Sequence, residues 1–231
     1  MKIKAVIFDM DGIIMNTEPL QMKAFNKIMA KYRIFVTPEF FKTLVGISSA
    51  ENFKNLKKLF GLPEDWQFLL EQKNIAYRKI LKEEIKIKGK NALNPGIYEF
   101  LKFLKERNIP IALASSSSFD DISIILDGLN IRKFFTVITS GQEVKKSKPQ
   151  PDIFLLTAKR LNIEPEYCLV IEDSYPGLVA AKKANMKCIA IPNEYTYGFD
   201  YSSSDFVLNS TEDLLSLKNK IDFVKNQPVG V

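Results

Sequence analysis

From about residue 95 onward one pattern repeats: a short unbroken apolar run, then a stretch with apolar residues at helical spacing. The runs are Ile109 to Ala114, Phe134 to Thr139, Cys168 to Ile171, Lys187 to Ile191 and the shorter Asp205 to Leu208. The helical stretches are Ile97 to Leu104, Phe119 to Leu129, Asp152 to Leu161, Pro176 to Ala184 and Glu212 to about Phe223, with Asn108 and Asn185 placed to end two of them. A strand that is apolar throughout is buried on both faces. The alternation therefore predicts a parallel sheet with helices on each side. A further apolar run, Lys4 to Phe8, supplies a first strand.

Residues 18–88 differ, showing helical periods and no convincing strand. Leu20, Ala24, Ile28 and Tyr32 mark one face. Thr37-Pro38-Glu39 reads as an N-cap followed by Pro at the first helical position. Ser48 and Glu51 form a capping-box pattern before Phe53, Leu56, Leu59 and Phe60, with Gly61 as the stop. A longer helix is expected from Glu64 to Ile85. The expected fold is thus α/β: a doubly wound, mostly parallel, Rossmann-like sheet with an inserted all-α helical-bundle cap. Residues 1–16 and 89–231 would form the core and 17–88 the cap. Such an insertion lies over the carboxyl ends of the strands, where doubly wound folds bind ligands.

Composition narrows the chemistry. The 231 residues include no histidine, which excludes Ser-His-Asp, Cys-His and the usual zinc hydrolase sites. Two cysteines, Cys168 and Cys188, read as small buried apolar residues. No apolar run approaches a membrane span, and the N-terminal run is cut short by Asp9, so a cytoplasmic protein without a membrane partner is expected. The net charge is +6, and residues 54–90 hold nine lysines and one arginine against five acidic residues. Those lysines are spread around helical periods and no nucleic-acid motif accompanies them. They read as a solvated face, with no nucleic-acid partner expected. A monomer or weak homodimer is the expected state.

Polar residues gather where the predicted strands end: Asp9 and Asp11 after the first, Ser115 after Ile109 to Ala114, and Glu172-Asp173 after Cys168 to Ile171. Lys148 precedes a helix in a neighbouring loop. Parallel strands all end at one edge, so these residues can converge. Carboxylates side by side repel unless a cation or proton intervenes. Two acidic clusters at one edge point to a hard divalent cation, Mg²⁺ above all, with room left for a substrate phosphate.

Phe8-Asp9-Met10-Asp11-Gly12 resembles the D-x-D-G motif of the haloacid dehalogenase-like superfamily. Leu113-Ala114-Ser115 is similar to its second motif, Lys148-Pro149 to its third, and Ile171-Glu172-Asp173-Ser174 with Gly177 to its fourth. With Asn16-Thr17-Glu18-Pro19 and Lys148-Pro149-x-Pro151-Asp152, the chain looks most like the subgroup of small phosphatases and β-phosphoglucomutase. The resemblance implies that Asp9 is a nucleophile forming an aspartyl-phosphate and Asp11 the general acid and base. It implies that Ser115 and Lys148 stabilise phosphoryl oxygens, and that Asp9, Asp11 (through its carbonyl), Glu172 and Asp173 form the Mg²⁺ site. Gly12, Gly46, Ser49, Lys73 and Ser116 are the expected substrate contacts.

Two activities compete. A mutase of this family carries a His and an Arg in its cap, where this chain has Gln21 and Ser49. The Arg that would clamp a distal phosphate is missing. The expectation is a Mg²⁺-dependent phosphatase acting on a small phosphomonoester, a sugar phosphate or nucleotide. A phosphosugar mutase is the alternative, and a non-catalytic phospho-receiver or binding module a more distant one.

Overall fold

In a computed structural model of the chain, residues 2–45 and 48–224 are described; Gly46 and the tail Gln227 to Val231, expected from sequence to fray, lie outside them. Strand β1 (Lys2–Ile3) leads into β2 (Ala5–Phe8), and helices α1 (Glu18–Met29), α2 (Pro38–Lys42), α3 (Ser49–Phe60) and α4 (Trp66–Lys88) follow. Then come α5 (Ile97–Glu106), β3 (Ile111–Ser115), α6 (Phe119–Gly128), β4 (Val137–Ser140), α7 (Asp152–Leu161), β5 (Cys168–Glu172), α8 (Tyr175–Lys183), β6 (Lys187–Ala190), β7 (Phe206–Val207) and β8 (Asp222–Phe223). Six strands form one sheet in the order β4-β3-β2-β5-β6-β7, with every neighbouring pair parallel. The strands β1 and β8 pair separately.

Alternation along each strand sorts side chains onto two faces. Val6, Phe8, Ile111, Leu113, Leu169 and Ile171 join the larger core, with Phe100 and Leu104 of α5 and Ile125 of α6. Ala5, Ile7, Ala112, Ala114, Val170 and Cys188 face the other way, onto Phe154 of α7 and Leu178 and Ala181 of α8. Both cysteines are buried and unpaired by disulfide. Among the described residues no helix is long and apolar enough to cross a membrane.

The insertion after β2 is helical. Phe25 of α1 stacks on Phe53 of α3 with ring centroids 5.0 Å apart, and Phe41 of α2 meets Phe25 edge-on. The Thr37 hydroxyl accepts from the Phe40 N–H and the Ser48 hydroxyl from the Glu51 N–H, so both N-caps form. Gly61 closes α3 in the left-handed conformation. Tyr32 lies in a 3₁₀ turn after α1, which ends earlier than the apolar spacing implied.

One expected element is corrected. Residues 212–223 do not form an α-helix: 211–219 wind as 3₁₀ turns, and Phe223 belongs to β8. Thr211, Leu214 and Leu217 are the buried positions, and their spacing of three suits a 3₁₀ turn, where residues three apart eclipse. Ser210 and Asp213 close a reciprocal capping box at its start.

Candidate active site

The sheet order places β2 beside β5, although the chain leaves them toward opposite edges of the sheet. This is a topological switch point, where a crevice opens outside the strand ends. The register pairs Phe8 with Ile171, so the residues that follow, Asp9 and Glu172, leave the sheet together. Phe8 also pairs with Leu113, which brings Ser115 to the same edge.

Asp9, Glu172 and Asp173 are buried, and one carboxylate oxygen from each lies within 4.8 Å of the others. Lys148 enters from the loop before α7. Its ammonium donates to Asp9 Oδ1 at 2.5 Å and Glu172 Oε1 at 2.6 Å. Burial opposes that ammonium charge, but Asp9 and Glu172 outweigh it and hold its pKa above the usual lysine value. Burial drives Asp9 upward, Lys148 draws it down, and with Glu172 and Asp11 nearby the balance is about 8. Asp173 is pushed well up by burial, then by Glu18, Glu172 and Asp9. One lysine thus faces three acids, and the charge left over is what a divalent cation would neutralise. The all-oxygen donor set suits a hard ion such as Mg²⁺.

Two glycines make the packing possible. Gly12 has φ +80°, and a Cβ there would lie 2.2 Å from Asp173 Oδ2. A Cβ at Gly177, in the first turn of α8, would lie 1.9 Å from the Glu172 carboxyl carbon. Glu172 Oε2 accepts from the Ser174 N–H at 3.0 Å and the Ser174 hydroxyl at 2.9 Å. Asp173 Oδ2 accepts from Asn193 Nδ2 at 2.8 Å.

The Asp11 carboxylate stands outside the acidic triad. Its Oδ1 accepts from the Thr17 hydroxyl at 2.6 Å and its Oδ2 from the Ser117 hydroxyl at 2.7 Å, with Ser115 Oγ 3.5 Å away. Ser115 is fully buried and accepts the Ser117 N–H. Ser116 is exposed beside it, and its carbonyl lies against Gly141.

Among the expected cap contacts, Ser49 is exposed at the start of α3. Lys73 is buried in α4, with its ammonium 5.4 Å from the Phe25 ring centre and 5.2 Å from that of Tyr77. Burial lowers its pKa to about 8, against the pull of Asp121 and Asp11. Among the described residues, three buried oxygens near this helix pair have no hydrogen-bond partner: Glu18 Oε2, Gln21 Oε1 and Tyr77 OH. Burial, then the Asp11 charge, pushes Glu18 up to about 7. The sequence marks Thr17 and Glu18 through the family resemblance and assigns no role to Ser117, Tyr77 or Asn193. Ser117 sits in a run of four serines that begins with the last residue of β3, a visible signal; nothing local marks Tyr77 or Asn193.

Residues 6–191 match the family described as haloacid dehalogenase-like hydrolase. A phosphorylated carbohydrates phosphatase of Thermotoga maritima is 33% identical over 207 residues, covering 88% of each chain. The β-phosphoglucomutase of Bacillus subtilis is 34% identical over 218 residues, covering 92% of each. The crystal structure of Rhodobacter sphaeroides CbbY with xylulose-1,5-bisphosphate superposes with a TM-score of 0.81 at 27% identity, covering 91% of this chain and 96% of that one. The chain is an enzyme that belongs to the haloacid dehalogenase-like hydrolases, in their group of small phosphatases and phosphoglucomutases.

Proposed function

We propose that the protein is a Mg²⁺-dependent phosphatase that hydrolyses a small phosphomonoester, a phosphorylated sugar in preference to a nucleotide, through an aspartyl-phosphate on Asp9. The observation that carries this reading is the junction of Asp9 with Lys148, Glu172 and Asp173, with Asp11 two residues on and tied separately to hydroxyls. An Asp9 oxygen attacks phosphorus while the bond to the leaving oxygen breaks and Asp11 supplies that oxygen's proton. Asp11 then takes a proton from water, whose oxygen attacks the phosphoryl group and frees Asp9 and inorganic phosphate. Ser115 and Lys148 donate to the phosphoryl oxygens. Asp9, Glu172, Asp173 and the Asp11 carbonyl would hold Mg²⁺, which when bound offsets the negative charge of nucleophile and phosphate.

Residues 17–88 would serve as a cap over this site, with 1–16 and 89–231 as the core. Its residues Glu18 and Gln21 offer acceptor oxygens with no partner among the described residues, and Tyr77 and Lys73 a phenol and an ammonium, a set that hydroxyls of a leaving group can satisfy. The name of the Thermotoga relative supports a carbohydrate substrate. The mutase reading is favoured by the 34% identity to the Bacillus enzyme. It asks for a distal-phosphate clamp, and Gln21 and Ser49 offer no positive charge for one.

Phosphate release from a panel of phosphomonoesters, with Mg²⁺ and then with chelator, tests the proposal. Metal-dependent release that disappears in Asp9→Asn is expected. Conversion of β-glucose 1-phosphate to glucose 6-phosphate without free phosphate would favour the mutase. Full activity of Asp9→Asn would remove the proposed nucleophile.

A further inference from the structure

One cation joins α4 to α6. Arg78 Nε donates to Asp121 Oδ1 at 2.8 Å, Nη2 donates to Ser118 Oγ at 3.2 Å, and Nη1 lies 2.9 Å from Asp120 Oδ2. Among the described residues no other ion pair links 18–88 to the sheet-bearing part of the chain. Farther along the seam, α6 fits closely on α4 at Gly128, where a Cβ would lie 2.9 Å from Ile85 Cγ2, and Lys82, Lys86, Ser123 and Asp127 line a cleft beside that contact.

The partners of Arg78 are the cap and first turn of α6. Ser118 Oγ donates to Asp121 Oδ2 at 2.7 Å and accepts the Asp121 N–H. Immediately before them lies the loop whose Ser117 hydroxyl donates to Asp11. On α4 itself, Tyr77 precedes Arg78, and Lys73 lies one turn before Tyr77. Asp121 also supports the Lys73 charge. The guanidinium therefore fastens the helix that carries Lys73 and Tyr77 to the end of the loop that follows Ser115 and carries Ser117. A fork with several donors can hold two carboxylates and a hydroxyl at once, which a single ammonium does poorly.

We propose that Arg78 is a positioning residue, an ionic latch that seats α4 on the start of α6 and so sets where Lys73 and Tyr77 stand over Asp11. Its effect on turnover rests on the phosphatase reading above; its hold on the seam does not. Asp121 is mostly buried, while Asp120 is exposed and Arg78 about one third exposed, so salt reaches and weakens part of the latch.

The test uses Arg78→Met, which keeps most of the apolar stem, and Arg78→Lys, with two readouts. Hydrogen exchange of the full chain reports the seam, and KM against kcat on a phosphomonoester reports positioning. Losing one charge-assisted contact set predicts a KM about tenfold higher for Arg78→Met. The rise in KM should exceed any fall in kcat, and Arg78→Lys should recover part of it. Faster exchange is expected in α4 and the first turn of α6, with β2, β3 and β5 unaltered. Unchanged exchange in Arg78→Met would overturn the latch. Faster exchange with unchanged KM would overturn the positioning role and leave Arg78 a plain stabilising contact. Absence of turnover in the unaltered protein would count against the phosphatase reading alone, while the exchange data would still decide whether Arg78 holds the seam.

Discussion

Asp9 and Lys148 are 139 residues apart in the chain and meet at 2.5 Å just beyond the carboxyl end of β2. Lys148 is also the only cation in direct contact with the acidic triad among the described residues. Replacing it with Met leaves buried carboxylates facing one another. Breaking a buried pair from one side costs about 3–5 kcal/mol. Lys148→Met should therefore melt markedly lower in chelator and recover part of the loss in Mg²⁺. Equal melting temperatures of variant and unaltered protein in chelator would contradict this electrostatic picture.

Asp11 is held by Thr17 and Ser117 hydroxyls, apart from the other acids. A side chain acting as general acid and base contributes about 10²–10⁴-fold to rate. Asp11→Asn should lower kcat by that order while Mg²⁺ affinity stays within about threefold, because its carboxylate is outside the triad. Steady-state kinetics against Mg²⁺ concentration separate the two effects. A large loss of metal affinity with little loss of kcat would reverse the assignment.

Gly177 allows Glu172 to lie against the start of α8. An added methyl there meets the Glu172 carboxylate at 1.9 Å. Overpacking of this kind costs about 1–3 kcal/mol. Gly177→Ala should lower the melting temperature and raise the Mg²⁺ concentration needed for half-maximal activity. An unchanged metal requirement would show that the Glu172 position is not critical to the ion.

In chelated protein the folded chain holds protons on Asp9 and Glu18 more tightly than the unfolded chain does, since their pKa values rise from 3.8 to about 8 and from 4.5 to about 7. The stability this confers is complete below the unfolded values and is lost as pH rises through the folded ones. The melting temperature in chelator should fall between about pH 5 and pH 8, and added Mg²⁺ should raise it most at the alkaline end. A flat profile in chelator would count against the buried-acid account.

Much of the framework is legible along the chain. The apolar runs of β2, β3 and β5 each stop at a polar residue that the fold uses, and α7 spans Asp152–Leu161 as its apolar spacing predicts. The stretch 211–219 misleads because Thr211, Leu214 and Leu217 suit a 3₁₀ turn while adjacent apolar residues imitate an α-helix. Asn193, Tyr77 and Arg78 carry no local mark. Each acquires meaning from residues more than ten positions away: Asp173 for Asn193, the charge of Asp11 for Tyr77, and the start of α6 for Arg78.

Local pattern determined the alternation of strand and helix, the inserted helical block and the acids at strand ends, because periodicity and capping act over a few residues. The tertiary structure decided which acids share a site. Pairing β2 with β5 sets Asp9 against Glu172 and Asp173, while the same edge turns Asp11 toward Thr17 and Ser117. That division follows from strand register and close packing, which depend on partners distant in the chain.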